Sequence, residues 1–88
     1  MANSAQAKKR AKQAEEKRQH NIAMRSQFRT FIKRVVYAID AGQQEDAQTA
    51  YQAAVPVIDR MVSKGLIHQN KASRHKSRLN KRIRAIAA

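Results

Sequence analysis

The sequence predicts an all-α fold, a three-helix bundle whose long basic N-terminal helix extends beyond the core. Strong helix formers (Ala, Gln, Lys, Arg and Glu) dominate the 88 residues. No stretch alternates between apolar and polar residues for long enough to indicate a strand. The only Gly and Pro residues are Gly42, Pro56 and Gly65. The two glycines divide the chain into three helical segments, and each segment carries an apolar face with which it can pack in a bundle.

The first predicted helix runs from about Ser4 to Ala41, with Ser4 as the N-cap and Gly42 as a left-handed stop. At ~1.5 Å per residue it would be about 55 Å long, more than a small core can cover. Its C-terminal half has an apolar face about 100° wide, made of Met24, Phe28, Phe31, Ile32, Val35 and Ile39. In its N-terminal half Ala is the only apolar residue type, so that half cannot build a protein core.

The second predicted helix, about Glu45 to Lys64, ends before Gly65. Pro56 removes the hydrogen bond to the Gln52 carbonyl, so we expect a bend there, or else a break into two short helices. The apolar face of this helix comprises Ala47, Ala50, Tyr51, Ala54, Ile58, Met61 and Val62. The third helix, from about Asn70 toward Ala85, separates Ala72, Leu79, Ile83 and Ile86 from Lys71, Arg74, Arg78, Lys81 and Arg84 on the opposite side.

We expect residues 1–88 to form a single domain, with a basic extension (residues 1–21) and a bundle core (residues 22–88). Of the 37 apolar residues 16 are Ala, which leaves 21 larger apolar side chains. So few large side chains must offset the ordering of roughly 65 residues, so we expect marginal stability. Nothing packs on residues 1–20 and their like charges repel, so we expect them not to be helical without a partner.

The distribution of charge is more informative than the total of +13. Residues 1–34 carry 10 cations and 2 anions, residues 35–63 carry 1 and 4, and residues 64–88 carry 8 and 0. Two basic ends folded side by side repel each other unless a polyanion neutralises them. A solvated charged surface is the alternative, but the absence of acids from the last 25 residues argues against it. The pattern indicates a nucleic-acid partner.

The aromatic residues favour a structured nucleic acid. Phe28, Phe31 and Tyr51 belong to the apolar faces and Tyr37 lies near the edge of one, so the chain offers no aromatic platform for single strands. We therefore expect the protein to recognise the phosphates and the shape of a double helix rather than the edges of its bases. These residues leave DNA open, and a DNA-compacting nucleoid or linker protein is the alternative. A membrane-active peptide is disfavoured because the most basic segment has no apolar face.

The inventory of reactive groups argues against an enzyme, a metal site and a cofactor. Adjacent carboxylates of a helix point about 100° apart, so neither Glu15-Glu16 nor Glu45-Asp46 converges on one substrate. His20, His68 and His75 lack metal-ligand spacing, and two isolated glycines cannot form a phosphate loop. The chain has no Cys and no signal-peptide or membrane-spanning run. We therefore expect a cytoplasmic protein with no membrane partner.

Several sequence segments resemble a known family, the twentieth protein of the bacterial small ribosomal subunit. They are Met1-Ala2-Asn3, Ala7-Lys8-Lys9-Arg10, His20-Asn21, Arg29-Thr30-Phe31, Ala41-Gly42 and Lys64-Gly65-Leu66-Ile67-His68-Gln69-Asn70-Lys71-Ala72-Ser73-Arg74-His75-Lys76-Ser77-Arg78-Leu79. The resemblance implies a three-helix ribosomal protein that binds 16S ribosomal RNA directly in the 30S subunit and supports its assembly. It also implies a protein that is monomeric when free, with few or no protein partners.

The resemblance further implies RNA contacts at Lys8, Lys9, Arg10, Lys12, Arg18, His20, Asn21, Arg25, Arg29, Asn70, Lys71, Arg74, His75, Lys76 and Arg78. To these we add Lys17 and Lys33, two further cations of the basic residues 1–34. Gln69 departs from the usual Lys of the family, which argues against a phosphate contact there. Gln43-Gln44 departs from the more usual Asp, which leaves the cap of the second helix open.

Overall fold

The computed structural model describes residues 2–87 as three α-helices joined by short turns. These are α1 (Ala2–Asp40), α2 (Gln44–Ser63) and α3 (Gln69–Ala87). Residues 2–87 contain no strand, so the predicted all-α class and three-helix bundle are confirmed. The prediction of Ser4 as N-cap is wrong, because α1 already begins at Ala2 and Ser4 lies within its first turn.

Glycine ends both α1 and α2 in the same way. Gly42 and Gly65 each have a φ of +71°, a left-handed conformation that only Gly adopts without strain. At the end of α1 the Gly42 N–H donates to the Ile39 carbonyl and the Gln43 N–H to the Ala38 carbonyl, both at 3.0 Å. The equivalent two bonds after α2 are both 2.9 Å long. This is the Schellman motif, which satisfies the last carbonyls of a helix and confirms the predicted stop at Gly42.

The starts of α2 and α3 differ. Gln43 precedes α2 without a side-chain cap, and Glu45 and Asp46 in the first turn supply the negative charge that a helix N-terminus favours. At α3 the His68 Nδ1 accepts a hydrogen bond from the Asn70 N–H at 3.0 Å. His68 therefore caps α3, a role that the sequence pattern did not predict.

The core lies where α2 and α3 pack together with the C-terminal half of α1. Its buried cluster consists of Val35 from α1, Ala47, Ala54 and Ile58 from α2, and Ala72, Leu79 and Ile83 from α3. All seven belong to the predicted apolar faces. Val57 is also buried, although the predicted apolar face of α2 does not include it. Among residues 4–86 no polar or charged side chain is buried. Pro56 is exposed and α2 continues through it, so the alternative of two short helices is wrong.

The N-terminal half of α1 extends away from this core. All side chains from Ser4 to His20 are exposed, the first buried residue is Met24, and Ile22 is 50% exposed. The molecule measures 68 × 22 × 14 Å, with a radius of gyration of 18.0 Å, where a compact chain of this length has about 12 Å. The helix is continuous through the extension. That residues 1–20 are not helical without a partner stays a prediction.

Candidate nucleic-acid interface

Cations of α1 and α3 face each other across the contact between the two helices. On α1, Arg25, Arg29 and Lys33 follow one another at four-residue spacing, so they form one row along the exposed surface. On α3, Lys71, Arg74 and Arg78 form a second row at spacings of three and four. Both rows lie beside the apolar faces that hold the two helices together. The fold therefore places side by side two sets of cations that are about 45 residues apart in sequence.

A histidine–phenylalanine pair connects the two rows. The rings of Phe28 from α1 and His75 from α3 meet edge to face, with centroids 5.7 Å apart and planes at 79°. Aromatic pairs of this geometry contribute about 0.5–1.5 kcal/mol beyond the area they bury. Because both residues are half-buried, the pair fixes the spacing of α1 and α3 where the cations flank them.

Two concave surfaces that share Lys71 lie beside this pair, and together we call them the α1–α3 groove. One part is bounded by Arg25, Phe28, Arg29 and Lys71 and is also lined by the apolar side chains of Met61, Leu66 and Ile67. The adjoining part is bounded by Lys71, Arg74, His75 and Arg78. Lys71 lines both parts, so the groove presents five cations from two helices to one ligand.

The carboxylates of the middle segment fix α3 rather than neutralise the groove. Asp40 at the end of α1 pairs with Arg82 at 3.2 Å, and Asp59 of α2 pairs with Lys76 at 2.7 Å. The Tyr51 hydroxyl also donates to the Lys76 carbonyl at 3.3 Å. None of the ion pairs found within residues 2–87 includes one of the five groove cations. Their charge therefore remains available to an anionic partner.

The surroundings of His75 disfavour its protonated form. Partial burial lowers the pKa of the imidazole, and the positive charges of Lys71, Arg78 and Arg74 lower it further. Both effects disfavour a further positive charge at this position. Burial, reinforced by the neighbouring cations, therefore keeps His75 in its neutral form at neutral pH in the free protein.

The basic extension presents its charges around an isolated helix. Arg10, Gln13, Lys17 and His20 line one side of it together. Arg10, Lys17 and Met24 follow one another at seven-residue spacing, so this side of α1 continues into the side that faces the core. Arg18 is partly neutralised by Glu15 at 2.7 Å, and this hydrogen bond lowers the pKa of the Glu15 carboxyl. The extension is thus a rod of exposed cations rather than a pocket.

The structure groups some of the predicted contact residues and separates others. The α1–α3 groove contains Arg25, Arg29, Lys71, Arg74, His75 and Arg78. Lys33 ends the α1 row beyond the groove, Asn21 lies one turn before Arg25 in the same row, and Asn70 lies next to Lys71 at the start of α3. The residues of the extension, all exposed, are Lys8, Lys9, Arg10, Lys12, Lys17, Arg18 and His20. Lys76 stands apart, because it turns toward α2 and pairs with Asp59.

The part of the chain that the structure describes offers neither a metal-binding cluster nor a membrane-spanning helix. No group of three or more His, Cys, Asp or Glu residues there could hold a metal ion. None of its helices is long and apolar enough to cross a membrane.

Comparison with known proteins identifies similar sequences over the whole bundle. The family model "Ribosomal protein S20" matches residues 2–84. The small ribosomal subunit protein bS20 of Azotobacter vinelandii is 66% identical over 86 residues, which cover 98% of this chain and 94% of that protein. The bS20 proteins of Pseudomonas fluorescens and Teredinibacter turnerae are 65% and 62% identical over 88 residues, with 98% and 100% of their own lengths covered. The similarity therefore includes the groove and nearly all of the extension.

Proposed function

This chain belongs to the ribosomal protein S20 family, and we propose that it binds 16S ribosomal RNA directly, through the α1–α3 groove and the basic extension. The family is one of small-subunit ribosomal proteins, and the protein is not an enzyme. Its proposed role is to neutralise phosphates where ribosomal RNA helices converge and so to support assembly of the 30S subunit. We further propose that it acts on the ribosome in the cytoplasm and is a monomer when free.

The observation that carries the proposal is the convergence of unpaired cations from two helices on one groove. Arg25 and Arg29 of α1 line one part of the groove together with Lys71 of α3. Lys71 also lines the adjoining part with Arg74 and Arg78. None of these five cations has a carboxylate partner within residues 2–87. Like charges that line one groove oppose the packing of α1 on α3, and phosphates bound between the two helices would reverse that effect. Arginine also binds phosphate with two parallel hydrogen bonds. A sugar–phosphate backbone that follows the groove would meet these groups in sequence.

The extension supports the same proposal. The residues from Ser4 to His20 bury no side chain in the protein, and at ~1.5 Å per residue this segment reaches about 25 Å beyond the bundle. Cations around its whole circumference suit a site surrounded by phosphates rather than a single flat surface. We propose that RNA lies on several sides of the extension and stabilises its helix there.

The salt dependence of binding to a folded 16S 5′-domain RNA tests direct phosphate binding. Each neutralised phosphate contributes roughly −0.7 to −0.9 to the slope of log affinity against log salt. Six or more contacts would therefore give a slope of several units. Duplex DNA of equal length serves as competitor, and we expect the protein to bind the RNA with the higher affinity. A slope near zero contradicts RNA binding through phosphates, whereas equal affinity for the two nucleic acids would favour DNA compaction.

A pair of matched double variants tests the groove itself. Arg74→Ala/Arg78→Ala removes two groove cations, and Arg60→Ala/Lys64→Ala removes two exposed cations at the end of α2. Both variants lower the net charge equally and should retain the helicity of the native chain. We expect the first to weaken RNA binding by at least tenfold more than the second, because direct phosphate contacts exceed a general charge effect. Equal weakening would remove the groove from the interface.

A further inference from the structure

We propose that His75 takes up a proton when RNA enters the α1–α3 groove and thereby becomes a further phosphate-binding cation of that site. This inference rests on the proposed function, because it describes how the same groove responds to pH. It assigns to His75 a role distinct from that of the permanently charged groove residues. RNA binding and protonation of one imidazole would then be a single coupled equilibrium.

Cations surround His75 in the free protein. On α3, Lys71 lies one turn before it, and Arg74 and Arg78 lie at spacings of one and three. On α1 its packing partner is Phe28, and Arg25 and Arg29 line the adjoining part of the groove. None of these neighbours can compensate an imidazolium.

The α2 side offers His75 no compensating charge either. On α2, the Asp59 carboxylate pairs with Lys76, the residue next to His75, at 2.7 Å. Lys76 follows His75 in sequence and so points about 100° around α3 from it. Burial and the cations of α3 together lower the pKa of His75. The imidazole of the free protein is therefore neutral at neutral pH.

RNA in the groove removes the causes of this neutrality. Phosphates would compensate Lys71, Arg74 and Arg78, and a phosphate beside His75 would favour its charged form. An imidazolium also offers two N–H donors where the neutral ring offers one. The pKa of His75 should therefore rise on binding. Between the free and the bound pKa, binding takes up as much as one proton, so affinity rises as pH falls, by up to about tenfold per pH unit.

The first experiment measures affinity for the 16S 5′-domain RNA between about pH 5.5 and 7.5, at fixed salt, for three proteins. They are the native chain, His75→Gln, and His68→Asn as the matched control. His68→Asn also removes one histidine of the same region and keeps a side-chain acceptor at the start of α3. We expect affinity to rise at low pH for the native chain and His68→Asn, and the pH slope to be lost in His75→Gln. A native slope in His75→Gln overturns the proposal.

The second experiment follows the His75 ring by NMR titration, free and bound to RNA. A higher pKa in the complex supports the proposal, and an unchanged or lower pKa overturns it, even if His75→Gln binds RNA more weakly for structural reasons. The two proposals fail separately. Absence of RNA binding at every pH would contradict the proposed function, whereas tight binding without a pH slope from His75 would contradict only this inference.

Discussion

The two halves of α1 share one continuous backbone and differ in what stabilises it. From Met24 to Asp40 the helix buries Met24 and Val35 and packs Phe28 and Ile32 against the core. From Ser4 to His20 it buries nothing. Tertiary packing supplies most of the stability of a protein helix, and propensity alone leaves a short segment marginal in water. Helix continuity in a structure therefore does not imply equal stability along it, and we expect the extension to need a partner for a stable helix.

The largest effect is expected from a truncation in the core. Ile58 of α2 is fully buried, so Ile58→Ala should destabilise the bundle by about 2–5 kcal/mol through lost burial and a residual cavity. This is a large part of the ~5–15 kcal/mol by which small domains are stable. Urea unfolding followed by circular dichroism measures the change. A loss below about 1 kcal/mol would show that the buried cluster is not what holds residues 24–86 together.

The turn after α1 should respond next. A Cβ at position 42 would meet nothing within 4 Å, so Gly42→Ala has only the left-handed φ of +71° to oppose it. That conformation costs a non-Gly residue about 1–2 kcal/mol. Gly42→Asn is the matched control and should cost less, because Asn tolerates the left-handed region. Equal stability of Gly42→Ala and the native chain in urea unfolding would show that this turn does not constrain the core.

The ion pairs that fix α3 should contribute less. Asp59 pairs with Lys76 at 2.7 Å, but the two side chains are 54% and 32% exposed. Screening limits such a pair to about 0.2–1 kcal/mol, so Asp59→Asn should lower stability by no more than this, and high salt should reduce the difference. Thermal unfolding in low and high salt measures it. A loss above 2 kcal/mol that survives high salt would mean that the pair has a role other than exposed electrostatics.

The smallest effect on global stability is expected in the extension. Ala11 and Ala54 both lie inside helices, but Ala11 is exposed and Ala54 is fully buried. Replacement by Gly disfavours the helix by about 1 kcal/mol at either position. In urea unfolding Ala54→Gly should show this loss and Ala11→Gly almost none, because the extension does not take part in the cooperative transition. Comparable losses would mean that the extension and the core unfold as one unit.

Some of these features could be read from the sequence because they depend on local spacing. Periodicity of the apolar residues identified the packed faces of all three helices, and Gly42 and Gly65 marked the turns. Ser4 was wrong as N-cap because cap preference is a weak local signal, and the neighbouring Ala and Asn residues also allow helix.

The rest depends on how the helices pack. No spacing within α3 shows that Lys76 pairs with Asp59 of α2 while Lys71 lies beside cations of α1, because that division follows from the packing of α3 against both helices. The contact of His75 with Phe28 likewise joins positions 47 residues apart. The sequence therefore shows which residues are basic, and only the packing of the helices shows which of them form one surface.

Residue-resolved hydrogen exchange by NMR, with and without the 16S 5′-domain RNA, tests most directly whether the two halves of α1 differ in stability. In the free protein, amides from Met24 to Asp40 should be protected by the bundle, while those from Ser4 to His20 should exchange at nearly the rate of an unfolded chain. Addition of RNA should protect the extension. Equal protection of both halves without RNA, or an extension that stays unprotected in the complex, would contradict this account.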